Sequence, residues 1–145
     1  MKISTKGRYA LRMMIDLAEN SNGGYVALKD ISARQEISLK YLEQIVTLLG
    51  KAGLIRSLRG PSGGYMLSRK PHEYTAGDII RATEGELSPV DCVEEGIVMC
   101  SRSAICPTVD FWQGLFCVIN EYIDGTTLQD LIDHSSSVRS PEYTI

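Results

Sequence analysis

The sequence predicts a mainly α-helical fold with a small β-hairpin and a long C-terminal helix. Three observations carry this. Apolar residues recur at helical spacing through most of the first fifty residues and again after residue 108. One stretch, Gly60-Pro61-Ser62-Gly63-Gly64, holds three glycines and a proline between two short β-type runs. The composition, 43% hydrophobic and 23% charged over 145 residues, is that of one globular unit with an appendage rather than of two full enzyme domains.

The first helix fills the first 22 residues. Ser4 is its N-cap, Ala10, Leu11, Met14, Ile15 and Ala18 make one broad face, and Gly23-Gly24 ends it. A short second helix runs from Leu28 to Gln35. Ser38 caps a third, from Leu39 to Lys51, with Leu42, Ile45, Val46 and Leu49 on its inner face and Lys40, Tyr41, Glu43, Gln44 and Thr47 largely outward. Leu54–Leu58 and Tyr65–Ser68 are strands around the glycine-rich turn, which makes a hairpin. Thr75 caps a fourth helix through Ala82, ended by Gly85. A turn-rich, acidic loop over 86–107 carries three of the four cysteines. A last long helix, Thr108 to Ile123, leaves so little of its circumference polar that it needs burial on more than one side. Gly125 is expected to break it, Thr126 or Thr127 to start a short helix through Ile132, and the tail from His134 to fray.

Net charge is −3, but it is a sum of opposites. Residues 1–70 hold 12 Lys and Arg against 5 Asp and Glu, a net of +7. Residues 71–145 hold 3 against 13, a net of −10. Fields act locally, so the basic half can face a polyanion despite the acidic average. No stretch approaches the apolar length of a membrane span. The basic start lacks the apolar core and cleavage site of a secretory signal. A cytoplasmic protein is expected.

Helix, helix, turn, helix, then hairpin is the order of a winged helix-turn-helix. The third helix fits a major groove, and its N-terminal side chains reach base edges. Gln44 can pair with adenine, Glu43 can accept from cytosine, and Lys40 and Tyr41 can serve phosphates or bases. Arg59 is placed for a narrow minor groove, and Gly60 beside it lets the backbone come close to the duplex. Lys2, Lys6, Arg8, Arg56 and Arg69 supply phosphate contacts. Ser38 and Lys6 complete the candidate surface for double-stranded DNA.

Three separated stretches carry a resemblance that covers nearly the whole chain. They are Met1–Leu11 (MKISTKGRYAL), Ile37–Gln44 (ISLKYLEQ) and Arg59–Tyr65 (RGPSGGY). The sequence resembles the bacterial winged-helix regulators typified by IscR, NsrR and CymR. The resemblance implies a homodimer, with paired C-terminal helices and one winged helix on each half-site of a near-palindromic operator. It places the positions of Tyr41, Glu43, Gln44 and Arg59 at the DNA surface and makes the helix at 108–123 a dimer seam. The expected activity is transcription regulation, as a repressor, without enzymatic activity. The expected division is 1–84 for DNA binding, 85–107 for the cysteine loop and 108–145 for dimerisation and the C-terminal segment.

Cys92, Cys100 and Cys106 are spaced C-x7-C-x5-C. Clustered cysteines in a cytosolic chain point to metal ligands or redox groups rather than disulfides. The pattern lacks the C-x2-C pairs of common zinc sites, yet zinc and unliganded thiols stay open beside an iron–sulfur cluster. The resemblance favours a cluster, [2Fe–2S] or [4Fe–4S], because cluster-bearing relatives of the IscR type carry three cysteines in this segment. Two departures concern the remaining ligand. Val109 stands where IscR supplies a histidine, and Arg8 stands where NsrR-like members use an aspartate. Asp110, four residues after Cys106 on what is expected to be the same helix face, is the first candidate. Cys117 lies roughly 16 Å further along the helix, too far to share a compact cluster, and reads as a small buried apolar residue. His72 and His134 read as surface residues.

An alternative is a cluster-free regulator of cysteine and sulfur metabolism. Thr75–Ile80, Leu87–Val90 and Thr126–Leu131 resemble CymR more closely than IscR, which implies control by a partner enzyme such as cysteine synthase. A redox enzyme or electron carrier has no further support, since there is no dinucleotide fingerprint, no P-loop and no C-x-x-C.

Overall fold

The computed structural model describes residues 1–139. Its elements in chain order are α1 (Thr5–Asn20), α2 (Leu28–Gln35), α3 (Leu39–Lys51), β1 (Ile55–Leu58), β2 (Gly64–Leu67), α4 (Ala76–Glu84), β3 (Val93–Glu94), β4 (Ile97–Val98), α5 (Val109–Gly125) and α6 (Leu128–Arg139). Single 3-10 turns lie at Pro71–Glu73 and Ser103–Ile105. The architecture is mainly helical, with the hairpin wing expected after α3. No helix among the described residues is long and apolar enough to cross a membrane.

The helix starts follow from side-chain caps. Ser4 accepts from the Lys6 N–H at 3.1 Å, and Ser38 accepts from the Tyr41 N–H at 3.2 Å. Thr75 and Asp78 cap each other's backbone N–H, a reciprocal box that fixes the entry of α4. Met13, Met14 and Leu17 of α1, Ile31 of α2 and Leu42 and Ile45 of α3 are fully buried against one another. The polar part of this clamp is Asp16, 1% exposed, which accepts from Arg34 Nε at 3.0 Å and Nη2 at 2.7 Å and from Gln35 Nε2 at 2.9 Å. A buried carboxylate is tolerable only with such partners, so Asp16 fixes where α2 leaves α1.

The wing is antiparallel, with Ile55 opposite Leu67 and Leu58 opposite Gly64. Val26 adds a bridge to Tyr65, closed by two backbone bonds of 2.8 Å. A side chain at Gly64 would begin 2.2 Å from the Val26 carbonyl oxygen, so only glycine permits this approach. Tyr74 closes the wing's base. It is fully buried, donates its hydroxyl to the Leu54 carbonyl at 2.7 Å and accepts from the Arg69 N–H at 2.9 Å.

Several expectations change at the C-terminal half. Helix α4 runs on to Glu84 rather than stopping at Ala82. Segment 86–107 is not wholly loop: Glu95 and Gly96, with φ of 49° and 79°, turn β3 into β4. Helix α5 continues through Gly125, where a break was expected. Helix α6 extends past Ile132 to Arg139, so His134–Arg139 is helical rather than frayed; residues 140–145 of that tail lie outside the described residues. The reason is tertiary. Leu128 is fully buried in the core, its N–H donates to the Tyr74 carbonyl at 3.0 Å, and Arg139 pairs with Glu19 of α1 at 2.9 Å. Helix α6 therefore packs on the winged-helix body, while α5 reaches outward.

Replacing Tyr74 by Phe keeps the packed ring but leaves the Leu54 carbonyl and Arg69 N–H without their partner. Urea unfolding of Tyr74→Phe is expected to show a loss of about 1–2 kcal/mol at unchanged m-value.

Candidate nucleic-acid interface and cysteine segment

The outward face of α3 begins at its N-terminus. Lys40, Glu43 and Gln44 are exposed, and none takes part in the ion pairs of the described residues. Burial of Leu42, Ile45, Val46 and Leu49 on the other side holds these three outward. Tyr41 is different: it is half-buried, with its ring edge-on to Tyr9 at 5.7 Å between centroids. Ser38 is exposed but its hydroxyl is already engaged as the α3 cap.

The Tyr9–Tyr41 contact puts the first turns of α1 beside the first turn of α3. Lys6 lies three residues before Tyr9, so it shares that side of α1. Arg12 braces the arrangement, with its guanidinium 5.1 Å over the Tyr9 ring and its Nε donating to Gln35 Oε1 at 3.2 Å. Arg59 and Gly60 are exposed at the wing tip, where Gly60 takes a φ of 112° that other residues rarely adopt. Cations thus flank the α3 N-terminus on the α1 side and at the wing.

Cys92, Cys100 and Cys106 are all free and half-buried. The β3–β4 pairing sets Cys92 opposite Met99, whose N–H donates to the Cys92 carbonyl at 2.9 Å. Ser103 N–H then bonds the Cys100 carbonyl at 3.1 Å, and Cys106 N–H the Ser103 carbonyl at 3.3 Å. The backbone so keeps the three thiols in one locally folded segment. It rests on α5, where Gln113 Nε2 reaches the Gly96 carbonyl at 3.4 Å and Asn120 Nδ2 the Leu87 carbonyl at 3.4 Å.

Cys106 lies beside the start of α5. The Thr108 hydroxyl at 3.5 Å, aided by the Thr108 and Val109 N–H groups and the Arg102 charge, holds its thiol below the ordinary range. The donor set therefore suits a thiolate-bound group in kind. It is not drawn together: among the described residues no three His, Cys, Asp or Glu side chains gather as a metal site. Asp110 is exposed in the first turn of α5, whereas Cys106 precedes the helix, so the two do not share a helix face as expected. Cys117 is exposed on α5, not buried. His72 and His134 are exposed.

The expected burial of α5 is also absent within the single chain. Phe111, Val118 and Tyr122 are 63%, 63% and 74% exposed, because the chain covers only the side facing α4 and the cysteine segment. Such an uncovered apolar face marks an interaction surface. On the covered side, Arg81 of α4 donates to both Asp124 oxygens at 2.8 and 2.9 Å and to Asn120 Oδ1 at 2.7 Å. Those contacts, Asp124 above all, raise the Arg81 pKa further. Neither this clasp nor the Asp16 clamp was foreseen, since their partners lie far apart in sequence.

A winged helix-turn-helix with an open recognition helix defines the class as DNA-binding transcriptional regulators. The chain belongs to the Rrf2 family, described as iron-dependent transcriptional regulators, whose model matches residues 3–134. It is 43% identical to CymR of Bacillus subtilis over 93% of this chain and 92% of that protein. The solved structure of that global cysteine regulator superposes with a TM-score of 0.77 at 42% identity, covering 92% of this chain and 98% of that one. IscR of Aliivibrio salmonicida is 42% identical over 91% of this chain and 77% of that protein. The structure of T. potens IscR gives a TM-score of 0.77 at 37% identity, covering 98% and 93%. These relatives are regulators, not enzymes.

In a gel-shift assay with DNA from upstream of its own gene, Gln44→Ala is expected to cost about 1–3 kcal/mol and to relax base preference at one position. Arg59→Ala should weaken binding most where the site has a narrow minor groove. Full binding by both variants would misplace the interface. For Cys106, a lowered pKa means more thiolate at a given pH. Thr108→Val should therefore move the pH profile of Cys106 alkylation upward; an unmoved profile would remove the hydroxyl from this role.

Proposed function

We propose that this protein is a homodimeric repressor that reads a near-palindromic operator and whose DNA affinity is set by an iron–sulfur cluster on Cys92, Cys100 and Cys106. The observation that carries the proposal is the presence of three free thiols in one segment lying between the winged-helix body and α5. Residues 1–84 bind DNA, 85–107 sense, and 108–145 dimerise and close the body, with α6 packing back on α1. Ser38, Lys40, Tyr41, Glu43, Gln44, Arg59, Gly60 and Lys6 form the DNA surface. Asp110 is retained as the candidate remaining ligand, from the first turn of α5.

A bound cluster supplies a redox- and iron-dependent link between the three thiolates. This chain's own residues turn that link into a change of affinity. Gathering Cys92, Cys100 and Cys106 around a cluster would move the β3–β4 hairpin, held to α5 by Gln113 at Gly96, and the stretch before it, held by Asn120 at Leu87. Affinity changes only if one arrangement of the two recognition helices is favoured over another, a coupling between two sites. Half-sites one turn apart, ~34 Å, make that spacing critical. The apolar stripe of α5 is the seam between the two copies.

The CymR-like reading remains the second. It is favoured by the ungathered thiols and by Val109 in place of a histidine, and it makes a partner enzyme such as cysteine synthase the source of the signal.

Anaerobic purification followed by iron and sulfide assay separates the two. The cluster reading expects coloured protein with matched iron and sulfide, lost in Cys92→Ala and kept in Cys117→Ala. Colourless, iron-free protein after reconstitution would overturn the cluster reading and favour the second.

A further inference from the structure

Helix α1 carries a glycine inside its first turn, where glycine is weaker than alanine by roughly 1 kcal/mol. The surroundings explain it. A Cβ at Gly7 would begin 2.7 Å from Glu84 Oε1. Glu84 closes α4, and its Oε1 accepts the Gly7 N–H at 2.9 Å and the Ser4 hydroxyl. The Ser4 oxygen in turn accepts the Lys6 N–H at 3.1 Å. The first turn of α1 has no acidic residue of its own. Glu84 supplies that missing negative charge from another helix, against the positive end of the α1 dipole.

We propose that Glu84 is a positioning residue of the DNA interface: through Ser4 and Gly7 it holds the first turn of α1 so that Lys6 meets a phosphate. This rests on the DNA-binding reading above. The geometry is a continuous chain of donors and acceptors from Glu84 to the Lys6 backbone. The Tyr9–Tyr41 contact then keeps that turn beside the α3 N-terminus. The sign of the effect is diagnostic. A carboxylate near DNA repels phosphates, so charge alone predicts tighter binding when Glu84 is removed. Positioning predicts the reverse. Glu84 is also the last residue before the cysteine segment, so a shift of that segment has a direct route to Lys6.

The test uses the full-length protein and DNA from upstream of its own gene, titrated over a range of salt. Glu84→Ala is expected to weaken binding several-fold and to lower the slope of log affinity against log salt by about 1, the signature of one lost phosphate contact. Adding Lys6→Ala to Glu84→Ala should cost nothing more, whereas Lys6→Ala alone should reproduce the loss. Glu84→Gln keeps the acceptor oxygen but not the charge, so it should retain most of the binding that Glu84→Ala loses. Tighter or unchanged binding by Glu84→Ala, or equal losses from Lys6→Ala in both backgrounds, would overturn the proposal. Amide exchange gives a readout that needs no DNA. The Lys6 and Gly7 amides should exchange faster in Glu84→Ala and not in Glu84→Gln, and unchanged exchange in Glu84→Ala also overturns the proposal. Wild-type protein that fails to bind, with exchange as expected, would count against the DNA reading and leave the Glu84 anchor standing.

Discussion

Arg81 joins the helix that closes the winged-helix body to the helix that leaves it. Its guanidinium spans both oxygens of Asp124 and reaches Asn120, while Glu86 lies at 3.7 Å. A partly exposed ion pair of this kind adds little to stability, about 1 kcal/mol or less. Its value is directional, because a guanidinium held by two parallel bonds fixes an angle as well as a distance. That angle decides where α5 points. The cysteine segment lying on α5 and the uncovered apolar face of that helix both inherit it; in the proposed dimer so does the spacing of the two copies of α3.

The charge division acquires a physical meaning from this geometry. The basic half forms the body that carries α3, the wing and the start of α1. The acidic half forms α4 onward, with Glu86, Asp91, Glu94 and Glu95 exposed or half-exposed along the cysteine segment. Negative charge there disfavours docking the wrong surface on a polyanion. Glu84 stands at the border between the two halves, and its carboxylate is spent on the α1 N-terminus rather than left to face phosphate.

Local signals were legible in the sequence and long-range ones were not. Ser4, Ser38 and Thr75 each announced a helix start because a cap acts within three residues. The wing was legible because Gly60–Gly64 demands a turn. Tyr74, Asp16, Arg81 and Glu84 read as ordinary polar or aromatic residues, since each has a side-chain partner 18 to 80 positions away. The length of α6 failed for the same reason: His134–Arg139 has little apolar pattern and is held by Glu19 of α1. Glu95-Gly96 was a missed local signal, a turn of two left-handed residues without the more familiar Asn or Asp. Among the candidate site residues, the outward placement of Lys40, Glu43 and Gln44 followed from helical periodicity. The shared helix face of Cys106 and Asp110 did not, because α5 begins only at Val109.

The central claim is that the cysteine segment controls affinity for DNA. Fluorescence anisotropy on one promoter fragment, at one salt concentration, measures this with matched cluster-loaded and cluster-free samples. The account predicts dissociation constants that differ by tenfold or more, a coupling of about 1.4 kcal/mol. Equal affinity of the two samples would contradict it.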